Sequence, residues 1–149
     1  VIAPSGFDMI SCGPISRRDA GDPLWIGKGL AEREICIPDK FRVEARTTAE
    51  EIVEIAEAVA GKLNANGTPA CVVVPTRGWS SLSVQGADLC DPAADAALVP
   101  ALRRHLSPDI PVFEIDCELN SAAFASALVE RLLDMLGDTN SGQGAEDKA

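Results

Sequence analysis

Two arginines stand at positions where their charge asks for an explanation. Arg46 directly precedes Thr47-Thr48 and a helical pattern, and Arg77 opens the turn Arg77-Gly78-Trp79-Ser80-Ser81 after the apolar run Cys71-Val72-Val73-Val74. A cation ahead of a helix N-terminus opposes the helix dipole. An anion bridging the two would reconcile them, and so would a salt bridge to one of the chain's many carboxylates. Arg77-Gly78 suits a turn that presents an arginine and backbone amides, read equally well as an anion site or a structural turn. The chemistry is anion binding: Arg46 and Arg77 counter charge while Thr47, Thr48, Gly78 and Ser80 donate hydrogen bonds. Two further loops add candidates. The segment Pro4-Ser5-Gly6-Phe7-Asp8-Met9 offers Gly6 as a ligand contact, and the stretch after Val112-Phe113-Glu114-Ile115 offers Asp116, Glu118 and Asn120. Were the site an enzyme's, Asp8 or Asp116 would be the general base. Local roles compete throughout. Thr48 and Glu51 make a capping box, Asp91 an N-cap, and Asp116 a cap for the turn to Asn120.

Composition narrows the classes. Over 149 residues, 13 Lys and Arg against 23 Asp and Glu give a net charge of −10, which repels nucleic-acid backbone and acidic membrane alike. No apolar run reaches the roughly 18–20 residues of a membrane span, and no secretory signal opens the chain. There is no G-x-x-x-x-G-K-[ST], G-x-G-x-x-G or G-x-S-x-G. Asp8, Asp88, Asp91, Asp95 and Asp116 show no spacing that demands a metal, so no metal site is expected. The five cysteines are odd in number with no C-x-x-C pair, which fits a reduced, cytoplasmic compartment and apolar packing roles. The one histidine, His105, lies in a helical pattern with no evident route to a thiol.

These loops need elements to hold them. Strands are expected at 1–3, 34–37, 71–74 and 112–115, with a charged edge strand at 41–45. The third run, continuously apolar between Pro69 and Pro75, suits a central strand buried on both faces. Helices are expected at 48–64, with Ile52, Ile55, Ala56, Val59 and Leu63 on one stripe, at 92–106 with a break or kink at Pro100, and at 121–136 ending at Gly137. Alternating strands and helices predict an α/β fold: an open, mainly parallel, Rossmann-like sheet flanked by helices, with ligands beyond the strand carboxyl ends. Residues 1–137 form this domain and 138–149 a flexible tail. Opening on a strand with only about four in all, the chain reads as the later part of a larger α/β domain.

At these loops the sequence resembles a family. Arg46-Thr47-Thr48-Ala49-Glu50-Glu51 is similar to the R-T-T-P-E-E segment of the Tm-one-like ATP-binding domain proteins. This is an uncharacterised family whose plant member is the tomato mosaic virus resistance protein, an inhibitor of viral RNA replication. The stretch from Pro4 to Gly13 resembles P-G-A-L-D-M-V-N-F-G, and that from Pro75 to Leu82 resembles P-L-R-G-x-S-A-L. Asp91 to Asp95 resembles D-P-E-A-D, and Asp116 to Phe124 resembles D-x-H-I-N-D-x-x-F. The resemblance implies a two-domain α/β protein of twice this length or more, of which this chain is the C-terminal part of the second domain. It also implies nucleotide binding, with ATP and magnesium as the cofactor pair. Departures fall at polar positions: Pro38-Asp39-Lys40 replaces an H-N-P segment, Ser83 an aspartate, and Glu118 a histidine.

The expected function is binding of an anionic small molecule, a nucleotide such as ATP, at the strand carboxyl ends. The alternatives are an enzyme acting on a small carboxylate or phosphate ester, and a protein-interaction domain with a vestigial cleft. Homo-oligomerisation or association with the upstream domain is expected, because a small sheet leaves an edge and an apolar face to cover.

Overall fold

A computed structural model describes residues 7–12, 33–39 and 42–142. The expected strand at 1–3 and the candidate Gly6 lie outside the described residues. So do residues 143–149 of the expected tail.

The chain pairs its strands in two ways. β1 (Phe7–Cys12), β2 (Ile35–Asp39) and β3 (Arg42–Arg46) form an antiparallel sheet in the order β1-β3-β2. β4 (Val72–Pro75) and β5 (Val112–Ile115) pair in parallel, from Val72 opposite Val112 to Pro75 opposite Ile115. The fold is a small α/β domain, its parallel part confined to β4 and β5. Two local expectations are corrected. Phe7–Cys12, read as a loop, is a strand, and the edge strand expected at 41–45 is the middle strand, at 42–46. Two of its charged side chains, Glu44 and Arg46, are buried, as are Ala45 and Thr47 beside them.

α1 (Ala49–Ala65) begins as its sequence dictates. The Thr48 hydroxyl accepts from the Glu51 amide at 3.3 Å, and the Glu51 carboxylate accepts from the Thr48 amide at 3.0 Å. Ile52, Ala56 and Ala60, four residues apart, form its buried face. Gly67 follows with φ of 65°, the left-handed conformation glycine adopts without strain.

The expected helix at 92–106 is two helices, α2 (Pro92–Asp95) and α3 (Leu98–His105). The break falls before Pro100, not at it. Pro100 is the third residue of α3, inside the first turn, where a missing N–H costs no intrahelical bond. α4 (Ala122–Gly142) passes through Gly137 without ending. Glycine lowers helix propensity by only about 1 kcal/mol, and the αL geometry that would make it a stop is absent: among the described residues only Gly67, Gly78 and Gly86 have positive φ.

β4 is buried on both faces, and its alternating side chains divide the core. Val72 and Val74 pack with Ile52, Ala56, Leu98 and Leu102, while Val73 packs with Cys117 and Phe124 of the α4 side. Beyond Phe124, α4 leaves an apolar face open: Val129, Leu132, Leu133 and Leu136 are 56%, 57%, 61% and 54% exposed. Among the described residues no helix is long and apolar enough to cross a membrane.

Candidate functional site

A cleft of about 750 Å³ lies where β4 and β5 deliver their carboxyl ends. Its walls are Thr76-Arg77-Gly78 after β4, Asp116-Cys117-Glu118 after β5, Ser83, Asp95 at the end of α2, and Ser121 ahead of α4. This is the position that open α/β sheets reserve for ligands.

Backbone bonds lock the two loops together. The Thr76 amide donates to the Ile115 carbonyl at 2.9 Å, Arg77 to Cys117 at 3.0 Å, and Leu119 to Gly78 at 2.9 Å. Gly78 has φ of 129°, and a Cβ there would stand 2.9 Å from the Val84 Cα, so no other residue fits this turn without a shift. Trp79 is buried, and its indole N–H donates to the Pro75 carbonyl at 3.0 Å.

Among the described residues Arg77 is the cation on the cleft wall. Its Nε and Nη2 each donate to an oxygen of Asp116 at 2.5 Å in a two-pronged pair. The side chains are 65% and 74% exposed, so solvent screens the pair and a competing anion can open it. The guanidinium's hydrogen bonds and charge hold the Asp116 carboxyl below its ordinary value while the pair is closed.

Arg46 is placed differently. It is buried, with Nη2 paired to Asp95 Oδ1 and also donating to the Asp91 carbonyl at 3.3 Å. The salt-bridge alternative therefore describes its observed contacts. Burial pushes the Asp95 carboxyl up, against the lowering effect of Arg46. Both arginines come to the same end of the fold, Arg77 on the cleft wall and Arg46 behind Asp95. Beside them, Arg33 holds Glu51 through two bonds of 2.8 and 2.7 Å, tying the α1 cap to the segment leading into β2.

The remaining candidates separate clearly. Thr48 caps α1. Thr47 is fully buried, and among the described residues its hydroxyl has no hydrogen-bond partner. The Ser80 amide, like that of Trp79, donates to Ser83 Oγ at 2.9 Å, and the Ser80 hydroxyl accepts from the Leu82 amide at 3.1 Å. Asn120 is exposed in the turn before α4 and is not part of the cleft wall. Asp8 lies on β1, paired with Ala45 of β3. Sequence reasoning missed Asp95 and Ser83 as wall residues. Asp95 had a signal, since it closes the Asp91-to-Asp95 motif. Among the described residues no group of three or more His, Cys, Asp or Glu could hold a metal ion.

With this geometry in hand, comparison with known proteins decides the lineage. Residues 1–136 match the family described as "Uncharacterised protein family (UPF0261) C-terminal domain". The chain belongs to that family. It is 26% identical over 137 residues to a UPF0261 protein of Clostridium tetani, covering 91% of this chain and 32% of that one. It is 29% identical over 137 residues to the ToMV resistance protein Tm-1 of Solanum lycopersicum, covering 91% and 17%. A UPF0261 protein of Rhizobium meliloti is 36% identical over 92 residues, covering 60% and 23%. The resemblance read from the motifs is thus the correct one. The chain spans less than a third of the length of these curated relatives.

Proposed function

We propose that this UPF0261 domain binds a small anionic molecule, of the nucleotide or sugar-phosphate kind, in the cleft at the carboxyl ends of β4 and β5. The observation that carries the reading is Arg77, an exposed guanidinium on the wall of a cleft of about 750 Å³. The cleft is also lined by Ser121, which caps α4 by accepting from the Phe124 amide at 3.1 Å, so the positive end of a long helix faces the same space. Its volume falls in the roughly 300–1,000 Å³ range of small-molecule sites. Arg77 shares the wall with Asp95, Asp116 and Glu118, so a polyphosphate would enter with its own counter-cation. The free cysteines Cys36, Cys71, Cys90 and Cys117 support a reduced, cytoplasmic setting for this activity.

Titration of the chain with inorganic phosphate, pyrophosphate and ATP tests the reading. Arg77→Ala should weaken the bound anion roughly ten- to hundred-fold, since a charge-assisted contact is lost, and should leave the melting temperature nearly unchanged. Equal affinity in variant and parent would refute it.

A second reading, a protein-interaction domain, is favoured by the exposed face of α4. Val129, Leu132, Leu133 and Leu136 would be covered by another copy or by the rest of a longer polypeptide. An enzymatic reading has less support, because both Asp116 oxygens are engaged by Arg77 while the pair is closed.

A further inference from the structure

Among the described residues three carboxylates line the cleft, and they are not equivalent. Asp116 is engaged through both oxygens by Arg77. Glu118 is exposed at the rim. Asp95 alone is gripped from behind: its side chain is 15% exposed, the Arg46 guanidinium that holds Oδ1 is 5% exposed, and among the described residues no hydrogen bond reaches Oδ2. Neighbouring Asp91 is occupied elsewhere, its Oδ1 accepting from the Ala94 amide at 3.0 Å.

We infer that Asp95 is the hydroxyl-recognising group of this cleft, and that the ligand is an anionic polyol, carrying a phosphate for Arg77 and sugar hydroxyls for Asp95. The inference rests on the anion-binding reading above. Charge balance chooses hydroxyls over a ligand cation. Arg46 already neutralises Asp95, so a second cation gains little there, whereas an O–H donor gains a charge-assisted bond to an oxygen with acceptor capacity to spare. Burial of the Asp95 carboxyl adds to this, because a partly desolvated carboxylate short of hydrogen bonds is stabilised by each neutral donor it receives. Arg46 acts through Asp95 as a positioning residue. It fixes the carboxylate's orientation without touching the ligand.

Calorimetric titration of the full chain with ribose 5-phosphate, 2-deoxyribose 5-phosphate and inorganic phosphate tests this. Ribose 5-phosphate should bind at least roughly tenfold more tightly than inorganic phosphate, with the deoxy sugar phosphate nearer the latter. Asp95→Asn should erase most of that advantage, read as the ratio of ribose 5-phosphate to inorganic phosphate affinity within the variant. Equal affinity for all three probes, or an advantage untouched by Asp95→Asn, would overturn the inference and leave the anion site standing. No binding of any probe would overturn both. Should Asp95→Asn fail to fold, having removed Arg46's charged partner, the probe series on the unaltered chain decides alone.

Discussion

Replacing Arg46 by methionine keeps most of the side chain's bulk and removes its charge. In the parent the guanidinium faces Asp95 with the two side chains 5% and 15% exposed. Removing one partner of a buried pair costs about 3–5 kcal/mol, and the residual access of solvent to Asp95 puts this case at the lower end, about 3 kcal/mol. For a chain of 149 residues the unfolding entropy is about 0.3 kcal/mol/K, so the melting temperature should fall by about 10 °C at neutral pH. The loss should depend on pH. Burial already raises the Asp95 carboxyl, and the influences of Arg46 oppose it. Without Arg46, burial and the Asp91 charge remain and the carboxyl climbs further. A folded value above the unfolded one means the native state binds more protons in the window between them. Stability is then retained below the unfolded value near about 4 and is lost as pH rises through the folded value. Arg46→Met should therefore regain stability on acidification from pH 7 toward 5. Arg46→Met/Asp95→Asn should be more stable than the single variant at pH 7 and show less of this gain. Thermal melts followed by circular dichroism at both pH values measure all of this. A single variant that melts with the parent, or one whose deficit is the same at both pH values, would refute the reasoning.

Other perturbations probe other parts of the fold. Gly78→Ala should destabilise the chain by about 3 kcal/mol in denaturant titration, because it places a Cβ 2.9 Å from the Val84 Cα at a φ of 129°. Leu133→Glu tests the face of α4: light scattering at micromolar concentration should give a mass above the monomer for the parent and a smaller mass for the variant. A monomeric parent would remove the self-association reading.

The parts of the fold legible in the sequence were those whose causes are local. The capping box at Thr48 and Glu51 sits four residues from end to end, and α1 begins where it says. The apolar run around Val72, Val73 and Val74 is buried on both faces, and 112–115 is a strand over the very residues expected. What failed depended on distant partners. The run 41–45 reads as an edge strand carrying Arg42 and Glu44, yet Glu44 is buried, and so is the following Arg46, against an aspartate 49 positions away. Phe7–Cys12 reads as a loop because polar residues interrupt it, and only pairing with β3 makes it a strand. Asp95 was one of 23 acidic residues until the fold set it against a buried guanidinium. Arg77-Gly78 after a buried strand has a local reading as an exposed turn, and the structure places both residues on the cleft wall.

Ser83 constrains how any anion can sit in the cleft. A turn following a parallel strand offers backbone amides, and the pair at Trp79 and Ser80 is well placed to grip one oxygen. That oxygen is already present: Ser83 Oγ accepts from both amides at 2.9 Å and is itself buried. Opening these amides to a ligand would mean expelling a buried hydroxyl and leaving it unpaired, at a cost of about 1–3 kcal/mol. The Thr76 and Arg77 amides are likewise spent on the loop after β5. The Thr76, Arg77, Trp79 and Ser80 amides therefore serve as framework, holding the turn in place. On the anion-binding reading, the charge offered to the ligand is then chiefly that of the Arg77 side chain and the positive end of α4. Binding then carries a signature that an amide nest would lack: it should weaken steeply with salt, because an exposed guanidinium is screened where a buried nest is not.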